Sequence, residues 1–130
     1  MTMGGARRGA LTGVVVLDLS RVLAGPWATQ TLGDLGATVL KIERPSHGDD
    51  TRQWGPPFQA RDDDQPDDAA YFLCANRNKR SVAIDFSKPA GADLLREMVK
   101  SADILVENFK VGGLLKYGLD YATLLSLIHI

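Results

Sequence analysis

The stretch VVVLDLSRVLAGPWATQTLGDLGATVLKIE, residues 14–43, decides the fold class. It opens on apolar, mostly β-branched residues and reaches Asp18, a pattern typical of a parallel strand buried on both faces. Pro26 suits the first turn of a helix, where the missing N–H has no partner to lose. Gly36 can end that helix in a left-handed conformation, and residues 38–43 follow as a second strand. The stretch predicts one β-α-β unit.

The alternation of strands and helices continues along the chain. The first helix is predicted over residues 26–35, with a packing stripe of Ala28, Leu32 and Leu35. Further elements are predicted as strands over 81–86 and 103–107 and helices over 87–100 and from 121, with Asp120 as N-cap. The sequence therefore predicts an α/β, Rossmann-like fold, with a mainly parallel sheet and flanking helices.

Residues 46–68 interrupt this alternation. They are rich in glycine, proline and aspartate, so irregular surface chain is expected, with a mobile acidic insertion over 60–68. Trp54–Phe58 forms a rigid aromatic corner that is expected to anchor this segment. Cys74 lies among apolar neighbours and is expected to be a core residue rather than a nucleophile.

Composition excludes several classes of function. The chain has 130 residues, enough for one domain with its own core, and its net charge of −1 gives no electrostatic basis for binding nucleic acid or an anionic membrane. One cysteine and two histidines offer no disulfide and no basis for a structural metal site, which fits a reducing, cytoplasmic location. No apolar run approaches the ~20 residues of a membrane span.

Cationic and amide side chains are predicted at the carboxyl ends of the strands, where α/β sheets bind ligands. Arg44 follows the second strand and could equally bind a phosphate or form a local salt bridge. Asn108 follows the strand at 103–107 and could contact a ligand or form a turn. For the basic cluster at 76–80, a solvated turn or pairing with the acids of 62–68 is favoured over a phosphate site. Together these features point to a phosphorylated ligand without defining a reaction.

Glu43 stands where dinucleotide-binding folds place the acid that holds a ribose. The glycine fingerprint of those folds, G-x-G-x-x-G, is absent, and Gly25 alone is explained by a turn. A nicotinamide-dependent enzyme is therefore not favoured.

Seven motifs in order resemble the N-terminal region of family III CoA transferases, the group that includes formyl-CoA transferase, carnitine CoA transferase and α-methylacyl-CoA racemase. The resemblance covers about residues 11–125. The motifs are Leu17–Pro26, Leu32–Ala37, Val39–Pro45, Gly48–Arg52, Trp54–Phe58, Asn76–Ser81 and Asp103–Phe109. The pieces 48–52 and 54–58 look most like the branch that acts on dicarboxylic acyl groups such as succinyl and glutaryl.

The resemblance implies transfer of CoA from an acyl-CoA to a small carboxylic acid. In this family an aspartate attacks the thioester and carries the CoA as an aspartyl thioester, which is covalent catalysis by a carboxylate. The Rossmann-like part supplies much of the CoA site, no metal is needed, and two subunits interlock as a homodimer.

The resemblance also implies which side chains meet acyl-CoA. Lys116 stands where formyl-CoA transferase has an arginine, which keeps the charge but loses the bidentate fork. Leu23 replaces a glutamine of that enzyme, which argues against oxalate or formate as substrate. The residues expected at the acyl-CoA site are Val22, Leu23, Arg44, Ile84, Lys88, Asn108 and Lys116.

The family's catalytic aspartate lies downstream of the motifs, and no aspartate of this chain matches its motif, so no catalytic residue is assigned. The chain is expected to be an inactive N-terminal fragment. Its expected parts are a disordered extension (1–10), a partial CoA-binding Rossmann-like domain (11–125) and a non-native tail (126–130). A racemase of the same family and a non-catalytic nucleotide-binding module remain alternatives.

Overall fold

Six strands and four helices follow one another in the computed structural model, which describes residues 9–60 and 67–127. The strands are β1 (Val15–Asp18), β2 (Thr38–Glu43), β3 (Phe58–Gln59), β4 (Asp68–Ala69), β5 (Lys79–Ala83) and β6 (Ile104–Val106). The helices are α1 (Ala24–Asp34), α2 (Ala70–Cys74), α3 (Pro89–Val99) and α4 (Tyr121–Leu125), with 3₁₀ turns at Asp50–Gln53 and Leu115–Tyr117. Most of the expected N-terminal extension, acidic insertion and C-terminal tail lies outside the described residues.

The central sheet has the strand order β5-β2-β1-β6, and all its strands are parallel. This is the order of a mononucleotide-binding half of a doubly wound fold. The crossovers through α1 and through α3 run in opposite directions across the sheet, so the two helices cover opposite faces. The predicted α/β, Rossmann-like class is confirmed.

Two apolar cores lie on the two faces of the sheet. The larger one joins Leu17 and Ile42 of the sheet, and Ile84 just after β5, to Leu95 and Val99 of α3. The smaller one, on the α1 side, is built on Val16, Ala37 and Val39. Only the first half of this second face is apolar, because the side chains that follow Val16 and Val39 on it are Asp18 and Lys41.

The predicted packing stripe of α1 is wrong at two of its three residues. Leu32 packs against the smaller core, but Ala28 and Leu35 are exposed. The helix instead buries Thr29 and Gln30. The reason is the polar half of the sheet face beneath it, where the Thr29 hydroxyl donates to Asp18 at 2.6 Å.

The remaining elements agree with the sequence with small shifts. Strand β5 begins two residues earlier than predicted, because Lys79 already pairs with Val39 of β2. Asp120 caps α4 as expected and accepts a hydrogen bond from the Thr123 N–H at 3.2 Å. Cys74 is exposed, which corrects the expected core position. No helix among the described residues is long and apolar enough to cross a membrane.

Helix α3 packs so closely on the preceding loop that position 91 accepts only glycine. A Cβ added to Gly91 would lie 2.1 Å from the carbonyl oxygen of Asp85. We expect Gly91→Ala to lower the free energy of unfolding by about 1–3 kcal/mol, as overpacked substitutions do. Urea denaturation measures this change in the free energy of unfolding. Helix propensity alone would stabilise the alanine variant by about 1 kcal/mol, so a stabilised variant would contradict the close approach.

Candidate functional site

A small cavity lies at the carboxyl edge of the sheet, where the chain leaves β1 and β2. Its volume is about 50 Å³. Its apolar lining is Leu19, Ile42, Phe86 and Phe109. The partly exposed side chains of Arg21 and Arg44 lie beside them, with the Arg21 guanidinium 5.0 Å from the centre of the Phe109 ring. Cations at the mouth of an apolar cavity can hold an anionic group at its edge.

Arg21 and Arg44 share one carboxylate, that of Asp50. The Arg44 Nη2 lies 2.6 Å from one Asp50 oxygen, and the Arg21 Nη1 lies 3.7 Å from the other. All three side chains are exposed enough for solvent to screen these contacts, so each contributes little to stability. Two guanidinium groups against one carboxylate leave a net positive charge at the mouth of the cavity, where a phosphate can bind.

The β1–α1 loop borders this cavity and carries two of the predicted residues, Val22 and Leu23. Val22 has a φ of +71°, and Leu23 is exposed just before α1. The predicted ligand contact Asn108 is bonded to this same loop. Its Oδ1 accepts from the Arg21 N–H at 2.9 Å, and its Nδ2 donates to the Arg21 carbonyl at 2.7 Å. In this structure Asn108 therefore fixes the shape of the loop.

A second groove brings together Lys88 and Lys116, two predicted residues far apart in sequence. Its volume is about 330 Å³, and Arg96 lines it as well. Phe86 lines both the groove and the first cavity, and packs edge-on against Phe109 at 5.9 Å and Tyr117 at 5.6 Å. An aromatic row thus connects the two arginines of the first cavity with the cations of the second.

Two other predictions concern Ile84 and the basic cluster at 76–80. Ile84 follows β5 directly, is only 6% exposed and packs into the larger core, and its expected contact with acyl-CoA stays a prediction. In the basic cluster at 76–80, Arg77 binds Asp34 at 2.5 Å and Lys79 binds Asp18 at 3.0 Å. Most of the acids of 62–68 that were expected as partners lie outside the described residues, so pairing with them stays a prediction.

The sequence pattern of CoA-transferase family III matches residues 11–129. The chain belongs to CoA-transferase family III. Among its relatives, the succinate–glutarate CoA-transferase of Agrobacterium fabrum is 52% identical over 118 residues, covering 91% of this chain and 30% of that protein. The human succinyl-CoA:glutarate CoA-transferase is 50% identical over 111 residues, covering 85% of this chain and 24% of that protein.

A solved structure supports the fold. A CAIB/BAIF family protein from Brucella suis superposes with a TM-score of 0.88 at 51% identity, covering 94% of this chain and 32% of that one. The chain spans about a third or less of the length of the relatives it matches.

Beneath the cavity, this family III chain buries a network of charges. On the α1 face, Lys41 and Glu43 continue the row begun by Val39, and all three side chains are buried. Lys41 Nζ donates to Asp49 at 2.9 Å. Lys79 Nζ donates to Asp18 at 3.0 Å, to the Pro26 carbonyl at 2.8 Å and to Asn76 at 2.9 Å. These contacts tie the strands to α1 and to the segment after β2.

Both oxygens of Glu43 are occupied by this network. Arg52 binds them through Nε and Nη2 at 2.8 and 2.7 Å, Ser81 donates at 2.7 Å, and the Asp49 N–H donates at 2.8 Å. Burial alone would raise the pKa of Glu43, but these hydrogen bonds outweigh it and hold the pKa below its usual value. Glu43 is thus a structural anion, which agrees with the weak case for a ribose-binding acid.

Sequence reasoning did not find Arg21, Phe86 or the buried pairs. A signal for the pairs was present, because residues 41 and 43 are charged in a strand that is central to the sheet. Charges at such positions are buried and need partners. Their partners Asp49 and Arg52 come from a segment that was expected to be irregular surface chain, yet Asp49 and Thr51 are buried.

Proposed function

We propose that this chain forms the acyl-CoA-binding part of a CoA transferase that moves CoA from a succinyl-CoA-like donor to a small dicarboxylic acid. The proposal rests on one observation above all: guanidinium and ammonium groups flank an aromatic row at the carboxyl edge of the sheet. The names of the relatives at about half identity, which act on succinyl and glutaryl groups, support the dicarboxylic substrates.

The cations form two separate pairs, and this arrangement suits a ligand with several phosphate groups, such as CoA. Arg21 and Arg44 would hold one phosphate group, and Lys88 with Lys116 another. The planar arginine groups can bind a phosphate in a bidentate manner, whereas each lysine acts as a point charge. In this arrangement Val22 and Leu23 line the path of the acyl-CoA arm beside the cavity.

We expect Arg44→Ala to weaken CoA binding about tenfold, because a charge-assisted contact to phosphate is worth about 1.4 kcal/mol or more. Isothermal titration of CoA into the chain measures the affinity. The matched control is Arg77→Ala, since Arg77 is an equally exposed arginine bound to an acid at the other end of α1. Equal affinity of wild type and Arg44→Ala would rule out the phosphate site, and absence of CoA binding would rule out the function.

We propose that none of the four aspartates that follow β5 in this chain carries the transferred CoA. Another aspartate carries it. Asp85 and Asp120 accept hydrogen bonds from Ser87 and Thr123, which hold the pKa of each carboxyl below its usual value and make it a poor nucleophile. Asp103 accepts from the Val15 N–H, and Asp93 binds Arg96. Each of these four carboxylates has a structural role.

Accordingly, we expect the chain to form no aspartyl adduct and no glutaryl-CoA when incubated with succinyl-CoA and glutarate. Mass spectrometry of the intact chain and of its peptides, with hydroxylamine to trap an acyl group, checks the adduct. A CoA or acyl adduct at any of the four aspartates, or measurable glutaryl-CoA, would show that this assignment is wrong.

The homodimer and the cytoplasmic location that the family resemblance implies belong to the same proposal. Light scattering of the enzyme to which the chain contributes would return twice the mass of one subunit, and a monomeric mass would contradict the dimer.

A further inference from the structure

Contacts from outside fix five main-chain polar groups of the β1–α1 loop, residues 19–23. The partners come from three separate parts of the chain: β2, the segment after β2, and the end of β6 with the residues that follow it. The contacts are Val106 O with Leu19 N at 2.8 Å, Lys41 Nζ with Ser20 O at 3.0 Å, Asn108 with both groups of Arg21, and Asp49 with Val22 N at 3.3 Å. The loop shape is thus determined by tertiary contacts.

The conformation at Val22 needs such support. Its φ of +71° lies in the left-handed region, which a β-branched residue rarely adopts. A conformation of this kind persists only where the surrounding structure over-determines it, and it is concentrated at functional sites. Both carboxylate oxygens of Asp49 face the Val22 N–H, at 3.3 and 3.4 Å.

Lys41 and Asp49 form an ion pair whose side chains are 2% and 0% exposed. Asp49 also accepts from the N–H and the hydroxyl of Thr51, at 3.0 and 2.8 Å. A fully buried pair contributes little net stability compared with apolar residues of the same size, because both charges lose their hydration. Both partners, however, contact the β1–α1 loop. Stability alone therefore does not explain this pair, whereas holding the loop does.

We propose that Lys41 and Asp49 are positioning residues that hold the main chain of Ser20–Val22 in the shape that receives acyl-CoA, an inference that rests on the proposed function. Neither side chain needs to touch the ligand. The pair acts through Ser20 O and Val22 N–H, and Asn108 completes the frame at Arg21.

The test uses the double variant Lys41→Met/Asp49→Asn, which removes both charges and keeps the side-chain volumes. Two properties are measured, the amide hydrogen exchange of Val22 by NMR and the affinity for CoA by calorimetry, alongside the urea midpoint. We expect exchange about tenfold faster and CoA binding about tenfold weaker, a change of about 1.4 kcal/mol, in a variant that is still fully folded in the absence of urea. The control Arg77→Gln, in an exposed pair with no contact to the loop, should change neither.

The outcomes separate this inference from the proposed function. If the wild type does not bind CoA, the proposed function is wrong, and so is the statement that the loop receives acyl-CoA. The amide exchange of Val22 still decides whether Lys41 and Asp49 hold the loop. Unchanged exchange, unchanged affinity, or losses that simply follow a lower urea midpoint would each overturn the positioning role. Should this variant not fold, Lys41→Gln/Asp49→Asn gives the same comparison with hydrogen-bonding side chains.

Discussion

Replacing Lys79 by methionine should lower the free energy of unfolding by about 3–5 kcal/mol, the usual cost of leaving one buried charge without its partner. The side chains of Lys79 and Asp18 are 2% and 0% exposed. All three protons of the ammonium group are used, on Asp18, the Pro26 carbonyl and Asn76. Without the ammonium group, the buried Asp18 carboxylate, the Pro26 carbonyl and the Asn76 side chain each lose one hydrogen-bond donor. Urea denaturation followed by circular dichroism measures the loss.

Two further variants show that the unpaired charge causes the effect. Burial lowers the pKa of Lys79, and the attraction of Asp18 does not fully offset this. The double variant Asp18→Asn/Lys79→Met should therefore recover a large part of the lost stability. Arg77→Met, which breaks the exposed pair with Asp34, should cost less than about 1 kcal/mol. A loss for Lys79→Met as small as that of Arg77→Met would refute the buried pair.

Acidification should destabilise the protein through Glu43 and Asp49. Burial alone would raise the pKa of both carboxyls, but hydrogen bonds from Arg52 to Glu43, and from Thr51 and Lys41 to Asp49, hold each pKa below the ordinary values of 4.5 and 3.8. A carboxyl with a lowered folded-state pKa stabilises the fold above its ordinary pKa, and this contribution disappears as pH falls through the folded value. Stability should be lost below about pH 4.5, by up to about 1.4 kcal/mol per pH unit and group.

The urea midpoint between about pH 6 and about pH 3 measures this dependence. Glu43→Gln is the informative variant, because it removes one titrating group and should flatten the curve in that window while lowering stability at neutral pH. Asp93→Asn, which removes an exposed carboxylate on α3, is the matched control. Parallel curves for wild type and Glu43→Gln would show that Glu43 does not carry the acid sensitivity.

Much of the fold could be predicted from local patterns. Strand β2 occupies the predicted residues 38–43, Pro26 lies in the first turn of α1 as predicted, and Gly36 after that helix has a φ of +104°. Each of these signals is local: a two-residue period, a proline that suits a first turn, a glycine that accepts positive φ. The boundaries of β5 shifted, because hydrogen bonding to β2 sets them rather than local sequence.

The candidate site was only partly predictable. Position after a strand correctly brought Arg44 and Asn108 to the carboxyl edge, because parallel strands all end there. The contact between the Asn108 amide and the Arg21 main chain depends on residues 87 positions apart, which no local pattern encodes. The meeting of Lys88 and Lys116 in one groove depends likewise on how the 3₁₀ turn packs beside α3.

The amino-acid sequence by itself determined the α/β alternation, the parallel sheet and the membership of CoA-transferase family III, because hydrophobic period, turn residues and motifs are read along the chain. Only the tertiary structure decided which charges are buried and what they hold. Lys41 and Asp49 are eight residues apart, and their burial follows from the cover that α1 and the segment after β2 place over β2. A buried charge is stable only with a partner at hydrogen-bonding distance, and that distance exists only once the chain has folded.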